Sequence, residues 1–294
     1  MYEAFYGFNV KPFGLLPQEE FMFLSRQHRM ALELLVYGLR NQAMFCVVTG
    51  DIGTGKTTLT RHLFSGRGPS NAVAMITGTN GTFTELLQWI LTEFGVDCEG
   101  LGKIALQQAL VHQLRWVNTR NKRVVLVIDE AQSLAPEVLE ELRLFSNINA
   151  GSTMLLQTVL VGQLGLRDTL RRQDMRPLAQ RIGVDYLLTP LDKEQTHAYI
   201  RHRLGVAGPG REGLFTADAC DAIFVASRGV PRVVNLFCDT ALVYGYADQK
   251  RTIDAATVNE MLGDKARDGG WLFQSSQPAP LASVTGLGLP AGER

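Results

Sequence analysis

The chain has 294 residues, of which 46% are hydrophobic and 20% charged, close to a soluble globular average. That excludes disorder over the whole length and leaves room for one large α/β domain, or a medium one with a smaller companion. Lys plus Arg number 29 and Asp plus Glu number 29, so bulk charge holds the chain neither to nucleic acid nor to an acidic membrane.

The N-terminal MYEAFYGFNVKPF lacks a basic region followed by an apolar stretch, so no signal peptide is expected. Apolar runs such as 124–128 fall far short of the roughly 18 residues of a membrane span. Cys46, Cys98, Cys220 and Cys238 stand far apart, without zinc-ribbon or CxxC spacing, and read as reduced thiols. These features together predict a cytoplasmic chain with no span of its own, peripheral at the inner membrane only through a partner.

Residues 1–40 read as a linker and a first helix. From there to residue 190, short apolar β-branched runs alternate with helical patterns. The runs 45–49, 73–77, 124–128, 155–161 and 183–188 have the composition of strands buried on both faces. Helices are predicted over 56–64, 83–94, 104–119, 136–147 and 164–171, with Pro136 suited to a first helical position. The alternation predicts a five-stranded parallel sheet flanked by helices over 41–190. Beyond residue 190 only helices are expected, over 193–204, 217–227, 231–246 and 255–264, with Thr216 and Asp254 as N-caps. This is a small all-helical domain, 191–265. Residues 266–294, rich in Pro, Ser, Ala and Gly from Gln274 on, read as a disordered tail.

The strongest motif follows the first strand. Gly50, Asp51, Ile52, Gly53, Thr54, Gly55, Lys56 and Thr57 fit GxxxxGK[ST], and the helix expected at 56 completes the context. Glycines let backbone N–H groups turn inward around phosphates, and the helix N-terminus adds partial positive charge. Lys56 is placed to reach the β- and γ-phosphates of ATP, Thr57 to ligate Mg2+, and Thr58 to extend the cradle. The third strand ends in Asp129-Glu130-Ala131-Gln132, as a Walker B element requires. Asp129 belongs to the Mg2+ shell and Glu130 orients and polarises the attacking water.

Three weaker signals follow. Gln163, at the tip of the fourth strand, is a candidate contact for the γ-phosphate or the water. Arg171, Arg172, Arg176 and Arg181 lie between the fourth and fifth strands. The first two read as a solvated basic face, while Arg181 suits presentation to a neighbour's γ-phosphate. Arg232, in Gly229-Val230-Pro231-Arg232-Val233-Val234-Asn235, opens a helix of the small domain and suits a nucleotide-sensing role.

In this order along the chain, these elements resemble the AAA+ ATPases, a P-loop NTPase family. Tyr6-Gly7-Phe8, Pro12-Phe13, the stretch from Phe23 to His28, Leu160-Val161-Gly162-Gln163 and Leu178-Ala179-Gln180-Arg181-Ile182 are similar to the secretion-ATPase branch, which includes general secretion pathway and pilus-biogenesis ATPases. The resemblance implies sensor-1, arginine-finger and sensor-2 roles for Gln163, Arg181 and Arg232, with the helical domain as a lid. It also implies an ATP-dependent homo-oligomer acting on a membrane or envelope assembly component of a secretion, pilus or polysaccharide system. Full-length secretion ATPases carry a membrane span and a peptidoglycan-binding region after the ATPase, and neither follows Trp271 here. Two alternatives stay open: a TniB- or TnsC-like transposition regulator that binds DNA, and a nucleotide-switched adaptor with little turnover.

Overall fold

The computed structural model of the chain describes residues 1–14, 18–65, 71–78, 81–150 and 153–267. Five strands make the central sheet: β1 (Phe45–Gly50), β2 (Asn71–Thr77), β3 (Arg123–Asp129), β4 (Leu156–Gly162) and β5 (Ile182–Leu188). All pairings are parallel and the order is β2-β3-β4-β1-β5. A separate two-residue antiparallel ladder joins Asn149–Ala150 to Thr153–Met154.

Alternate residues of β1 face opposite ways, as strand pleating demands. Cys46 and Val48 pack with Leu35, Val36 and Leu39 of α2 (Arg26–Arg40) and with Leu63 of α3 (Lys56–Ser65). Phe45 and Val47 enter a larger core on the other face. That core takes its helical side chains from α4 (Phe83–Glu93), α5 (Lys103–Asn118), α6 (Pro136–Phe145) and α7 (Leu164–Arg171). Covered on both faces, β1 and β3 have no room for polar alternation, which is why they read as continuous apolar runs.

The register decides where function can sit. Thr49 lies opposite Gly162, Gly50 opposite Leu188, and Thr77 opposite Asp129. The carboxyl ends of β1, β3 and β4 therefore converge on one edge, where ligands bind in open parallel sheets.

A one-turn helix, α8 (Arg176–Ala179), precedes β5, and the helical domain comprises α9 (Lys193–Ala207), α10 (Ala217–Ser227), α11 (Pro231–Ala247) and α12 (Ala255–Arg267). Thr216 caps α10 by accepting from the Ala219 N–H at 3.2 Å, and Asp254 accepts from the Thr257 N–H at 2.9 Å. Residues 266 and 267 continue α12; the rest of the expected tail lies outside the described residues. All four cysteines are free, and Cys46 is buried. No helix among the described residues is long and apolar enough to cross a membrane.

The N-terminal segment departs from the linker expected for it. Residues 2–6 form a short helix, α1 (Tyr2–Tyr6), and Tyr2, Tyr6, Phe8, Phe13 and Phe21 are buried in the core of the helical domain. Residues 1–14 and 18–25 are thus a strap around that domain. Pairs such as Phe13–Phe215, with centroids 6.1 Å apart, weld it in place.

Candidate functional site

β1 ends at Gly50, and the chain turns through residues 51–55 before entering α3 at Lys56. Gly53 and Gly55 have φ of 82° and 97°, a region that costs side-chain-bearing residues and is open to glycine. Each is also crowded: a Cβ would lie 2.7 Å from the Arg232 Cβ at Gly53, and 3.0 Å from His28 Nε2 at Gly55.

Lys56 is 6% exposed, and its Nζ donates to the carbonyls of Gly50 and Asp51, both at 2.8 Å. Burial lowers its pKa, opposed by the facing carboxylates of Glu130, Asp129 and Asp51. Among the described residues it makes no ion pair within 4 Å, so this buried ammonium still lacks a close anion. Phosphate oxygens would supply one.

Thr57 donates its hydroxyl to Asp129 Oδ2 at 2.5 Å, and Asp129 is 3% exposed. Two hard oxygens side by side fit Mg2+, which keeps most of its shell as water and phosphate oxygens. No cluster of three His, Cys, Asp or Glu able to hold a metal occurs among the described residues. The donor set therefore fits a cation shared with a bound phosphate.

Glu130 lies one residue further and lines the cavity above the P-loop. Its backbone is left-handed, φ 56° and ψ 35°. Its Oε2 accepts from Gln132 Nε2 at 2.6 Å and from Gln163 Nε2 at 3.2 Å. Gln163 thus meets Glu130 directly.

The cavity holds about 350 Å³ and runs from Lys56 to the helical domain and the strap. Thr54, Thr58 and Arg232 line it, with Phe21, Tyr199 and Asn235 at the far end. The Arg232 N–H donates to the Gly53 carbonyl at 3.3 Å, while its exposed side chain makes no hydrogen bond among the described residues. The helical domain is therefore docked on the P-loop through backbone, with a guanidinium to spare.

Arg181 is elsewhere. Its carbonyl accepts from Phe45 N–H at the start of β1, a full strand, roughly 17 Å, from the P-loop. Its Nη1 donates to Asn147 Oδ1 at 2.6 Å and to the Arg143 carbonyl at 3.2 Å. It cannot reach the nucleotide site of its own chain. Arg171 and Arg172 are exposed beside Asp168 and Asp174, as a solvated face would be.

Sequence pattern did not assign roles to several residues gathered here. Buried His28 bonds Ser25 Oγ through Nδ1 at 2.7 Å and the Thr54 carbonyl through Nε2 at 3.1 Å. Burial lowers its pKa, the Thr54 bond opposing. Arg203, 6% exposed, donates to the Pro12 carbonyl at 2.7 Å and to Tyr199 at 2.9 Å, and Tyr199 donates to Asn235 at 2.8 Å. The only advance sign was the aromatic, Pro-punctuated N-terminus.

Residues 39–170 match the family model of the AAA domain. The chain is 38% identical over 248 residues to general secretion pathway protein A of Aeromonas hydrophila, covering 84% of this chain and 45% of that protein. It thus spans about half the length of that curated relative. Among solved structures, Cdc6p from Pyrobaculum aerophilum superposes with a TM-score of 0.65 at 18% identity, over 85% of this chain and 71% of that one. The ADP form of the Aeropyrum pernix ORC2 protein gives 0.65 at 17%, over 87% and 73%. At such identities the likeness is one of fold. Residues 39–170 thus match the AAA domain in sequence, the fold is shared with Cdc6p and the ORC2 protein, and over most of its length the chain is similar to general secretion pathway protein A.

Proposed function

We propose that this chain binds ATP with Mg2+ and hydrolyses it to ADP and phosphate. The observation that carries this is the contact of Thr57 with Asp129 beside a buried Lys56 that makes no ion pair within 4 Å among the described residues. Lys56 and the inward N–H groups of residues 51–57 would hold the phosphates. Thr57 and Asp129 would hold Mg2+, which when bound neutralises charge on the β- and γ-phosphates. Glu130, fixed by two amides, would orient the attacking water, and Arg232 would read the phosphate from the helical domain.

The cation on the far side of the γ-phosphate would come from Arg181 of a second copy, making the active form an ATP-dependent homo-oligomer. Similarity to general secretion pathway protein A supports coupling of that cycle to assembly of a secretion, pilus or envelope-polysaccharide system. Calorimetry with ATP and Mg2+ tests the site. Lys56→Ala should weaken binding at least about 100-fold, since the triphosphate loses its P-loop cation. Unchanged affinity would remove the assignment.

A further inference from the structure

Glu130 is a flexible side chain facing a cavity that also holds a lysine ammonium. Left loose, it would lose the defined geometry a water-orienting group needs. Several contacts keep it in place, and most of them meet at one side chain. Gln132 Nε2 donates to Glu130 Oε2 at 2.6 Å, the shorter of the two amide contacts that oxygen receives. The Oε1 of the same Gln132 accepts from the backbone N–H of Gln163 at 2.9 Å. Gln132 therefore bridges the turn after β3 to the end of β4 and aligns Gln163, whose own amide then reaches Glu130. Gly162 makes room for this bridge, because a Cβ there would lie 2.8 Å from Gln132 Oε1 and 3.2 Å from its backbone nitrogen. The turn itself is held in its left-handed form by Ser133, whose N–H and hydroxyl both donate to the Glu130 carbonyl, at 3.0 and 2.7 Å. A left-handed residue other than glycine is strained, so this geometry is maintained by its surroundings.

We infer that Gln132 is a positioning residue for ATP hydrolysis: it sets the direction of the Glu130 carboxylate and of the Gln163 amide together, without touching the nucleotide. This rests on the proposal that Glu130 orients the attacking water. Both contacts are N–H donors to Oε2, and the residue they hold lines the cavity.

The test uses the full chain as wild type, Gln132→Glu, Gln132→Met, Glu130→Gln and the Gln132→Glu/Glu130→Gln double variant. Gln132→Glu keeps the length and the acceptor for Gln163 but sets a like charge against Glu130. Gln132→Met removes the donor without adding charge. Turnover at saturating ATP should fall about ten- to a hundredfold in Gln132→Glu and by less in Gln132→Met, while ATP affinity stays within about threefold. The double variant should turn over no more slowly than Glu130→Gln alone, because groups that act as a unit do not multiply their losses. Turnover of Gln132→Glu within twofold of wild type overturns the inference, as do losses that multiply in the double variant. Should Glu130→Gln itself hydrolyse ATP at the wild-type rate, the role of Glu130 falls and that of Gln132 with it.

Discussion

The two ends of the cavity are built on different principles. The phosphate end is local: residues 50–58 form one loop and helix start, and Asp129, Glu130 and Gln163 reach it through strand register. The far end is assembled from remote segments. Arg203 ties α9 to Pro12 across 191 residues and stacks over Phe21, 4.7 Å from the ring centroid. His28 and Arg232 join the two ends by bonding the adjacent carbonyls of Thr54 and Gly53. One end is thus a motif and the other a tertiary contact, and the P-loop is gripped by both α2 and the helical domain.

The largest effect expected lies outside both ends. If the phosphate end lacks only a cation beyond the γ-phosphate, Arg181→Ala should cut turnover by about 10³-fold or more, with ATP affinity little changed. Mixing it with Lys56→Ala should restore part of the activity, since one interface can then pair an intact P-loop with an intact arginine. Turnover independent of protein concentration, with no recovery on mixing, would confine hydrolysis to one chain and leave Arg181 bonded to Asn147.

Arg203→Met separates the ends. It leaves every phosphate-binding residue in place but strips the Pro12 carbonyl and Tyr199 of a buried donor. A loss of about 2–4 kcal/mol in chemical denaturation is expected. A loss below about 0.5 kcal/mol would mean that the strap is held by its aromatic packing alone.

Arg232→Ala probes the join more gently. Its side chain is exposed and unpaired among the described residues, so ATP affinity should fall about tenfold and ADP affinity less, as expected for one charge-assisted contact. Equal, negligible effects on both would leave it a surface charge.

The smallest effect concerns His28. Burial lowers its pKa, so between that lowered value and the unfolded value near 6.5 the unfolded chain binds more protons. Stability is therefore complete above about pH 6.5 and declines as pH falls below it. His202, also lowered by burial and by Arg203, acts in the same direction. Thermal unfolding of His28→Gln should lose part of the wild-type decline between pH 7 and pH 5.5. An identical decline in both proteins would show that His28 does not titrate with folding.

The same contrast explains what was legible in the sequence. β1 and β3 announced themselves because burial on both faces leaves only apolar residues, and the P-loop because its chemistry is contiguous. Thr216 and Asp254 were legible because a cap acts within three residues. The strap was not: Tyr2, Tyr6, Phe8, Phe13 and Phe21 follow no helical or strand period, and their partners lie across the chain in α9–α12. Gln132 stood inside a recognised motif, yet its role depends on Gly162 and Gln163, on another strand. Arg181 was visible as a residue, but its bond to Asn147 was not, since that depends on how α6 ends beneath the sheet.

The central claim is that this cavity hydrolyses ATP through Glu130, and paired measurements on Glu130→Gln test it most directly. ATP affinity by calorimetry with Mg2+ should match wild type within about threefold, because Thr57, Asp129 and Lys56 are untouched. Steady-state turnover of the same samples should fall by about 10²-fold or more, since a neutral amide no longer polarises the water. Wild-type turnover in that variant, at equal affinity, would contradict the account.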